Sequence, residues 1–220
     1  MNGYNDGMSE LIRQIDEVFG WKVKPGFDDL ELAQILAAGN DIGAMISRCF
    51  PGYDGKYWVW KNLGKAIFHK GGLPQKLVGW ANKSDSICLV FVNRHVWLSP
   101  KLFQLPGPKR WLVHELGHVL DNHFHSMGVW FGGGPSDRLV EILGRRPKTL
   151  RWQNTKSLQQ SIPSTCMWTI HNNNKPPKYG DNSSADYFAE CFTWMVYNEE
   201  YIPNPARLPM LNLLRSTLEI

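Results

Sequence analysis

The chain has 220 residues, of which 43% are hydrophobic and 20% are charged, a composition typical of a globular protein able to bury a sizeable core. No stretch approaches the roughly 18 apolar residues that cross a bilayer, so no membrane-spanning segment is expected. The 24 basic and 20 acidic side chains give a formal charge of +4 and are spread along the chain, so the charge does not indicate a nucleic-acid partner.

The cysteines and the first residues bear on the cellular compartment. Cys49, Cys88, Cys166 and Cys191 lie far apart and form no C-x-x-C pair, so isolated thiols are expected, with two disulfides as the alternative. The first twenty residues carry acidic side chains in an amphipathic pattern and lack the basic start and apolar run of a signal peptide. We therefore expect a cytoplasmic protein, and nothing in the sequence indicates its oligomeric state.

Short-range patterns predict helices at the start of the chain and a small sheet after them. Apolar residues recur at helical spacing over residues 9 to 19 and again over residues 29 to 38, which predicts two or three opening helices. Short β-type runs separated by Gly, Pro, Asn, Lys or Ser then follow at residues 57–60, 66–68, 77–80, 87–92 and 96–98. Together these runs predict a small sheet.

Further helices are predicted after the sheet. Pro108 suits a first helical turn, so a helix is expected from there to about residue 125, followed by a shorter one over residues 136 to 143. Residues 145 to 184, rich in Asn, Lys, Pro and Gln, predict an irregular lobe or loop. Two helices, over residues 183 to 197 and 205 to 218, are expected to close the chain.

These elements predict one α+β domain over residues 1–220. Its first part, residues 1–55, is expected to be helical. Residues 56–125 are expected to form a small mixed sheet packed on the helix that begins at Pro108, and residues 126–220 a mainly helical C-terminal part.

Residues 114 to 118 read His-Glu-Leu-Gly-His and lie inside the helix predicted from Pro108. With 3.6 residues per turn, His114 and His118 point the same way one turn apart, so two imidazole nitrogens can reach one zinc ion. Glu115 is turned by about 100° from His114, beside the ion, where it can act on a bound water instead of binding the metal. The helix is expected to be buried by an apolar stripe made of Leu112, Leu116, Val119 and Leu120. Since buried polar groups need partners, we expect a zinc site here.

A catalytic zinc takes three protein ligands and keeps one position for water, so a third ligand must come from elsewhere. A histidine six residues after His118 serves in the metzincin arrangement, but that position is Phe124. His123 and His125 lie on less suitable faces of the helix and are expected at the surface or behind the ligands. The third ligand is therefore expected further along the chain.

The better candidates lie on the helix predicted over residues 183 to 197. Asp186 and Glu190 are four residues apart and share one helical face. An acidic, solvated face is the alternative, but an unpaired charge among aromatic neighbours such as Tyr187 and Phe188 is costly. We expect this pair to serve the metal.

These residues resemble a known group, the zincin metallopeptidases of the anthrax lethal factor type, which are also similar to the clostridial Pro-Pro endopeptidases. In those families a helix with H-E-x-x-H is followed by a Tyr and then by a helix of the form acid-aromatic-Phe-Ala-Glu-x-Phe. This chain has His114-Glu115-Leu116-Gly117-His118, then Tyr179-Gly180, then Asp186-Tyr187-Phe188-Ala189-Glu190-Cys191-Phe192. The match covers a small part of the chain, but order and spacing both agree.

The resemblance implies a zincin-like fold and roles for individual residues. Asp186 corresponds to the third zinc ligand, Glu190 to a carboxylate that orients a ligand histidine, and Tyr179 to a phenol that assists the oxyanion. Those families have Glu at the ligand position. Asp186 is one methylene shorter, so its helix must approach more closely or Glu190 must take over as ligand. Asp121, three residues after His118, recurs in similar proteins and is expected to be a cap or a histidine partner, not a ligand.

The expected activity is zinc-dependent hydrolysis of a peptide or protein substrate. Zinc lowers the pKa of its bound water, Glu115 takes the proton as general base, and Tyr179 supports the oxygen that becomes negative. Residues 93 to 98 are expected to be either the sheet edge that binds an extended substrate or an internal strand. No membrane is expected as a partner.

Two other functions stay open on the sequence alone. In a non-catalytic module, a fourth ligand such as His123, His171 or Glu190 would close the zinc site, although a structural site has no use for Glu115. A cytoplasmic regulatory protease linked to DNA would share the chemistry and differ in its partner. Only the missing signal peptide and the short basic clusters point to it.

Overall fold

The computed structural model describes residues 9–71, 88–91, 94–104, 107–126, 134–143, 184–197 and 204–218. The helices in these ranges are α1 (Glu10–Phe19), α2 (Asp29–Cys49), α3 (Gly55–Leu63), α4 (Pro108–Ser126), α5 (Pro135–Ile142), α6 (Ser184–Tyr197) and α7 (Asn204–Ser216). The strands are β1 (Lys22–Val23), β2 (Ile67–Lys70), β3 (Cys88–Phe91) and β4 (His95–Leu98), and Pro100–Gln104 forms a 3-10 helix. The described chain is mostly helical with a small sheet, which agrees with the predicted α+β class at this coarse level.

The first two helices begin at side chains that accept the free backbone N–H groups of a helix start. Ser9 accepts a hydrogen bond of 3.3 Å in the first turn of α1, and Asp28 and Glu31 form a reciprocal capping box at the start of α2. Helix α1 ends at Gly20, whose φ of +67° lies in the left-handed region that favours glycine. Both predicted helices are confirmed, and the second continues past residue 38 to Cys49.

Residues 57 to 60, predicted as a strand, lie instead in helix α3. Asp54 accepts hydrogen bonds from the backbone N–H groups of Lys56 and Tyr57, at 2.9 and 3.2 Å, and so starts a helix. The buried side chains of α3 recur three to four residues apart, at Trp58, Val59, Asn62 and Leu63. The strand prediction was wrong because four aromatic and β-branched residues are too few to reveal their period, and burial on one helical face decided the structure.

The described strands form one sheet in the order β1-β2-β4-β3. Strands β1, β2 and β4 run parallel, and β3 is antiparallel to β4. Because β4 pairs with β2 on one side and β3 on the other, the prediction that residues 93 to 98 form the sheet edge is wrong, and the internal-strand alternative is confirmed. Strand β3 lies at the end of this order instead.

The other sheet predictions have mixed outcomes. Strands β2, β3 and β4 fall within or overlap the predicted runs at residues 66–68, 87–92 and 96–98. The run at residues 77–80 lies outside the described residues. Strand β1 was not predicted, because two residues have no measurable period and it forms only through its pairing with β2.

One buried core joins the sheet to the helices. Phe68, Val96 and Leu98 belong to the same core as the apolar stripe of α4, whose predicted burial is confirmed. Helix α4 also packs against β3. The sheet and the core therefore fix the position of the helix that carries residues 114 to 118. No described helix has the length and apolar character needed to cross a bilayer.

Candidate metal centre

Helix α4 carries residues 114 to 118 near its middle. It begins at Pro108, as predicted, since the fixed φ of proline suits the first helical position. His114 is buried, and the Nε2 atoms of His114 and His118 lie 3.2 Å apart with their rings nearly perpendicular, at 82°. The helical repeat thus brings the two imidazole nitrogens together.

Helix α6 places two carboxylates opposite these histidines. Asp186 Oδ1 lies 3.3 Å from His118 Nε2, and Glu190 Oε1 lies 3.1 Å from His114 Nδ1. Since the later residue of α4 meets the earlier residue of α6, the two helices run antiparallel here. The pair of His114 and Glu190 is buried, with side chains 4% and 3% exposed, whereas the side chains of His118 and Asp186 are 17% and 19% exposed.

The ligand atoms of His114, His118 and Asp186 all lie within 4.8 Å of one another, so these residues could hold a metal ion. In a tetrahedral zinc site with bonds of about 2.0 to 2.1 Å, neighbouring ligand atoms lie about 3.3 Å apart. The N-to-N distance of 3.2 Å and the N-to-O distance of 3.3 Å are close to this value. Two imidazole nitrogens and one carboxylate oxygen also suit zinc chemically. The residues present therefore fit a divalent ion such as zinc.

Glu190 lies behind His114 and sets the charge at the buried end of the site. Its Oε1 lies 3.1 Å from Nδ1, and both side chains are buried, so the carboxylate and the imidazole form a close charge contact. Burial by itself lowers the pKa of His114, but Glu190, Glu115 and Asp186 together outweigh burial and raise the pKa to about 9. With Nδ1 facing a carboxylate, Nε2 faces His118, which is the orientation of a metal-binding histidine. The pocket carries negative potential that a divalent cation would offset.

Glu115 is buried on the same helix as the two histidines. It is close enough to His114 to help raise the pKa of that imidazole. Tyr179, the other predicted catalytic residue, lies outside the described residues, so its role stays a prediction.

Asp121 connects α4 to helix α5. Its two carboxylate oxygens accept hydrogen bonds from the backbone N–H and the hydroxyl of Ser136, both at 2.8 Å. Burial raises the pKa of Asp121, and these two hydrogen bonds oppose the rise. An added Cβ at Gly134 would lie 2.7 Å from Asp121 Oδ1, so a side chain there would force this carboxylate to shift. The carboxylate thus caps the start of α5, and it also lies close enough to His118 for that imidazole to help lower its pKa.

His123, expected at the surface or behind the ligands, is not part of the group of side chains that could hold a metal ion. Its Nδ1 contacts the guanidinium of Arg94. Burial, Arg94 and Lys65 lower the pKa of His123 to about 4. The side chain of His125 and all of His171 lie outside what the structure describes.

Three residues that shape this site were missed by reasoning from the sequence. Ser136 supplies both donors to Asp121, and no short-range pattern connects residues fifteen apart in different helices. Gly117 and Ala189 form a close contact between α4 and α6. Their small size was a visible signal, since small residues allow two helices to approach.

The geometry defines a candidate metal centre of two histidines and one aspartate between two antiparallel helices. Comparison of the chain with family models, with curated proteins and with solved structures finds no match. The resemblance to the lethal factor type therefore depends on the motif residues alone and stays a prediction.

Proposed function

We propose that the protein is a zinc-dependent endopeptidase with His114, His118 and Asp186 as zinc ligands. One observation carries the proposal: the ligand atoms of these side chains, from two separate helices, lie within 4.8 Å of one another. The residue between the two histidines is Glu115, a buried carboxylate beside the centre. Hydrolysis by an activated water requires such a set of groups.

The chain's own residues have separate tasks in this proposal. Zinc, when bound, supplies Lewis acidity that polarises a carbonyl and makes water more acidic. Glu190 holds the Nδ1 proton of His114, which leaves the lone pair of Nε2 for the metal. His118 and Asp186 reach solvent, so water and substrate can approach from their side.

Glu115 is the proposed general base. Its carboxylate accepts a proton from the attacking water and then passes that proton to the nitrogen of the leaving amine. Its turn of about 100° from His114 around the helix keeps it beside the ligands and not among them. Tyr179 is proposed to donate a hydrogen bond to the carbonyl oxygen as negative charge develops there.

The proposed substrate is an extended peptide that adds to the sheet beside β3. Within the described residues, β3 pairs with β4 alone, and α4 packs against β3. The backbone N–H and C=O groups of a strand at the end of a sheet can bind an extended chain by main-chain hydrogen bonds. A peptide in this position would run alongside the helix that carries Glu115.

The substitution Glu115→Gln tests the proposed function. We expect the variant to keep about one zinc per chain, since the ligands are intact, and to lose cleavage of a peptide library by about 100-fold or more. The measurements are metal analysis of the purified protein and mass spectrometry of the digested library. Glu17→Gln, a change at an exposed glutamate of α1, is the matched control and is expected to cleave like the wild type.

Two results would contradict the proposal in different ways. Full activity in Glu115→Gln would remove this residue from the mechanism. A wild-type chain that holds zinc tightly but cleaves no member of the library would favour the non-catalytic zinc module instead.

A further inference from the structure

Helices α4 and α6 approach closely at Gly117 and Ala189. A Cβ added at Gly117 would lie 2.9 Å from the Cα of Ala189 and 3.1 Å from its Cβ. Ordinary van der Waals contact begins at 3.4 Å, and the atom at 2.9 Å belongs to the backbone, which cannot rotate away. A side chain at position 117 would therefore have to push the helices apart by about half an ångström.

This contact lies between the two helices that carry the proposed metal ligands. Gly117 directly precedes His118 in α4, and Ala189 lies between Asp186 and Glu190 in α6. The contacts of His118 with Asp186 at 3.3 Å and of His114 with Glu190 at 3.1 Å lie on the same helix pair. The helix spacing that Gly117 permits therefore sets the distances between the proposed ligands.

The spacing of the two helices decides how long the side chain of the third ligand must be. Asp has the shortest carboxylate side chain, so the backbone of α6 must lie near the metal for Asp186 to reach it. Metal bonds tolerate errors of only about 0.2 Å, less than the shift that a Cβ at position 117 would force. A longer side chain such as Glu would suit a wider gap between the helices.

From this geometry we propose that Gly117 and Ala189 are positioning residues that match the α4–α6 spacing to an aspartate ligand. The inference rests on the proposed zinc site and adds which residues set the distances between the ligands on α4 and the ligand on α6. General helix packing by small residues would not make metal affinity depend jointly on residue 117 and on the length of residue 186. A double-mutant cycle measures that dependence.

The cycle uses the wild type, Gly117→Ala, Asp186→Glu and the variant with both changes. The readouts are the affinity for Zn²⁺, by competition with a chromophoric chelator, and the absorption spectrum of bound Co²⁺. We expect each single variant to bind zinc about 10- to 100-fold more weakly, the range seen when groups that orient ligands are changed. The double variant should recover most of this loss, because the longer carboxylate spans the wider gap.

A matched control separates helix loosening from ligand spacing. Gly43→Ala adds a Cβ in α2 at 3.3 Å from the backbone of Gly55, also at a tight helix contact, and is expected to leave zinc affinity unchanged. Circular dichroism compares the folding of all variants. If Gly117→Ala does not fold, Asp186→Glu still tests the inference, since unchanged or tighter zinc binding by that variant would overturn it.

The other outcomes are also decisive. Wild-type affinity in Gly117→Ala, or a double variant weaker than both single variants, would overturn the positioning role while leaving the zinc site in place. A wild-type chain that binds no Zn²⁺ would overturn the proposed function, and with it this inference.

Discussion

Two histidines on helix α4 lie in opposite electrostatic surroundings. His114 faces Glu190 and Asp186 of α6, and these two carboxylates together with Glu115 of α4 outweigh its burial and raise its pKa to about 9. His123, nine residues later, is partly buried beside the guanidinium of Arg94, and its pKa falls to about 4. The same residue type on the same helix is thus favoured as a cation in one place and as a neutral ring in the other.

This difference indicates where the protein could hold a metal ion. Carboxylates around His114 create negative potential, and one of them, Asp186, lies with His114 and His118 at distances that suit metal ligands. A cation near His123 would meet the positive charge of Arg94 instead. The difference also argues against His123 as the fourth ligand of a closed zinc site, because its Nδ1 is already in contact with Arg94.

The largest expected effect comes from comparing His114→Ala with His123→Ala. We expect zinc affinity to fall by more than about 100-fold in His114→Ala, since losing a ligand should cost more than losing a residue that orients one. His123→Ala should bind zinc like the wild type. Competition with a chelator measures both affinities, and an equal loss in the two variants would break the distinction between the two histidines.

A second comparison distinguishes the two carboxylates of α6. Asp186→Ala should bind zinc about 100-fold more weakly or worse, while Glu190→Gln should lose about 10-fold, because it orients His114 without binding the metal. Both variants should be checked for folding, since Glu190 is buried. If Asp186→Ala retains zinc and Glu190→Gln does not, Glu190 is the third ligand.

The smallest expected effect is the pH dependence that His123 contributes to stability. Its folded-state pKa of about 4 lies below the ordinary value of 6.5, so the unfolded chain binds a proton first as the pH falls. This contribution to the free energy of unfolding is fully present above pH 6.5 and is lost as the pH falls toward 4. Because the ring is only partly buried, solvent screens the effect and we expect a loss of only about 1 kcal/mol.

Urea unfolding at pH 7 and pH 5 measures this effect in the wild type and in His123→Gln. The variant should lose less stability over this interval, since it has no imidazole to titrate. Identical pH dependence in the two proteins would show that the surroundings of His123 do not disfavour its charge.

Several parts of the fold could be predicted because their signals are local. The apolar spacing in α1 and α2, the proline at the start of α4 and the apolar stripe of α4 are all patterns within short stretches of chain. Helix α3 was misread as a strand because its short aromatic run fits two periods. Strand β1 exists only through its distant pairing with β2.

The candidate site also has some features that local sequence patterns predict and others that they do not. That His114 and His118 share a helical face follows from the period of the helix, and so does the shared face of Asp186 and Glu190. Which carboxylate meets which histidine is a different matter. The α6 register against α4, with Gly117 against Ala189, brings Asp186 to His118 and Glu190 to His114.

The sequence by itself therefore determined the residue types and the helical faces that a metal site would use. Only the tertiary structure decided the spacing and register of the two helices, and the opposite charge environments of two histidines on one of them. The physical reason is that helical periodicity is set by hydrogen bonds four residues apart. Ligand distances and pKa shifts depend instead on contacts between residues about 70 positions apart in the chain, which no local pattern encodes.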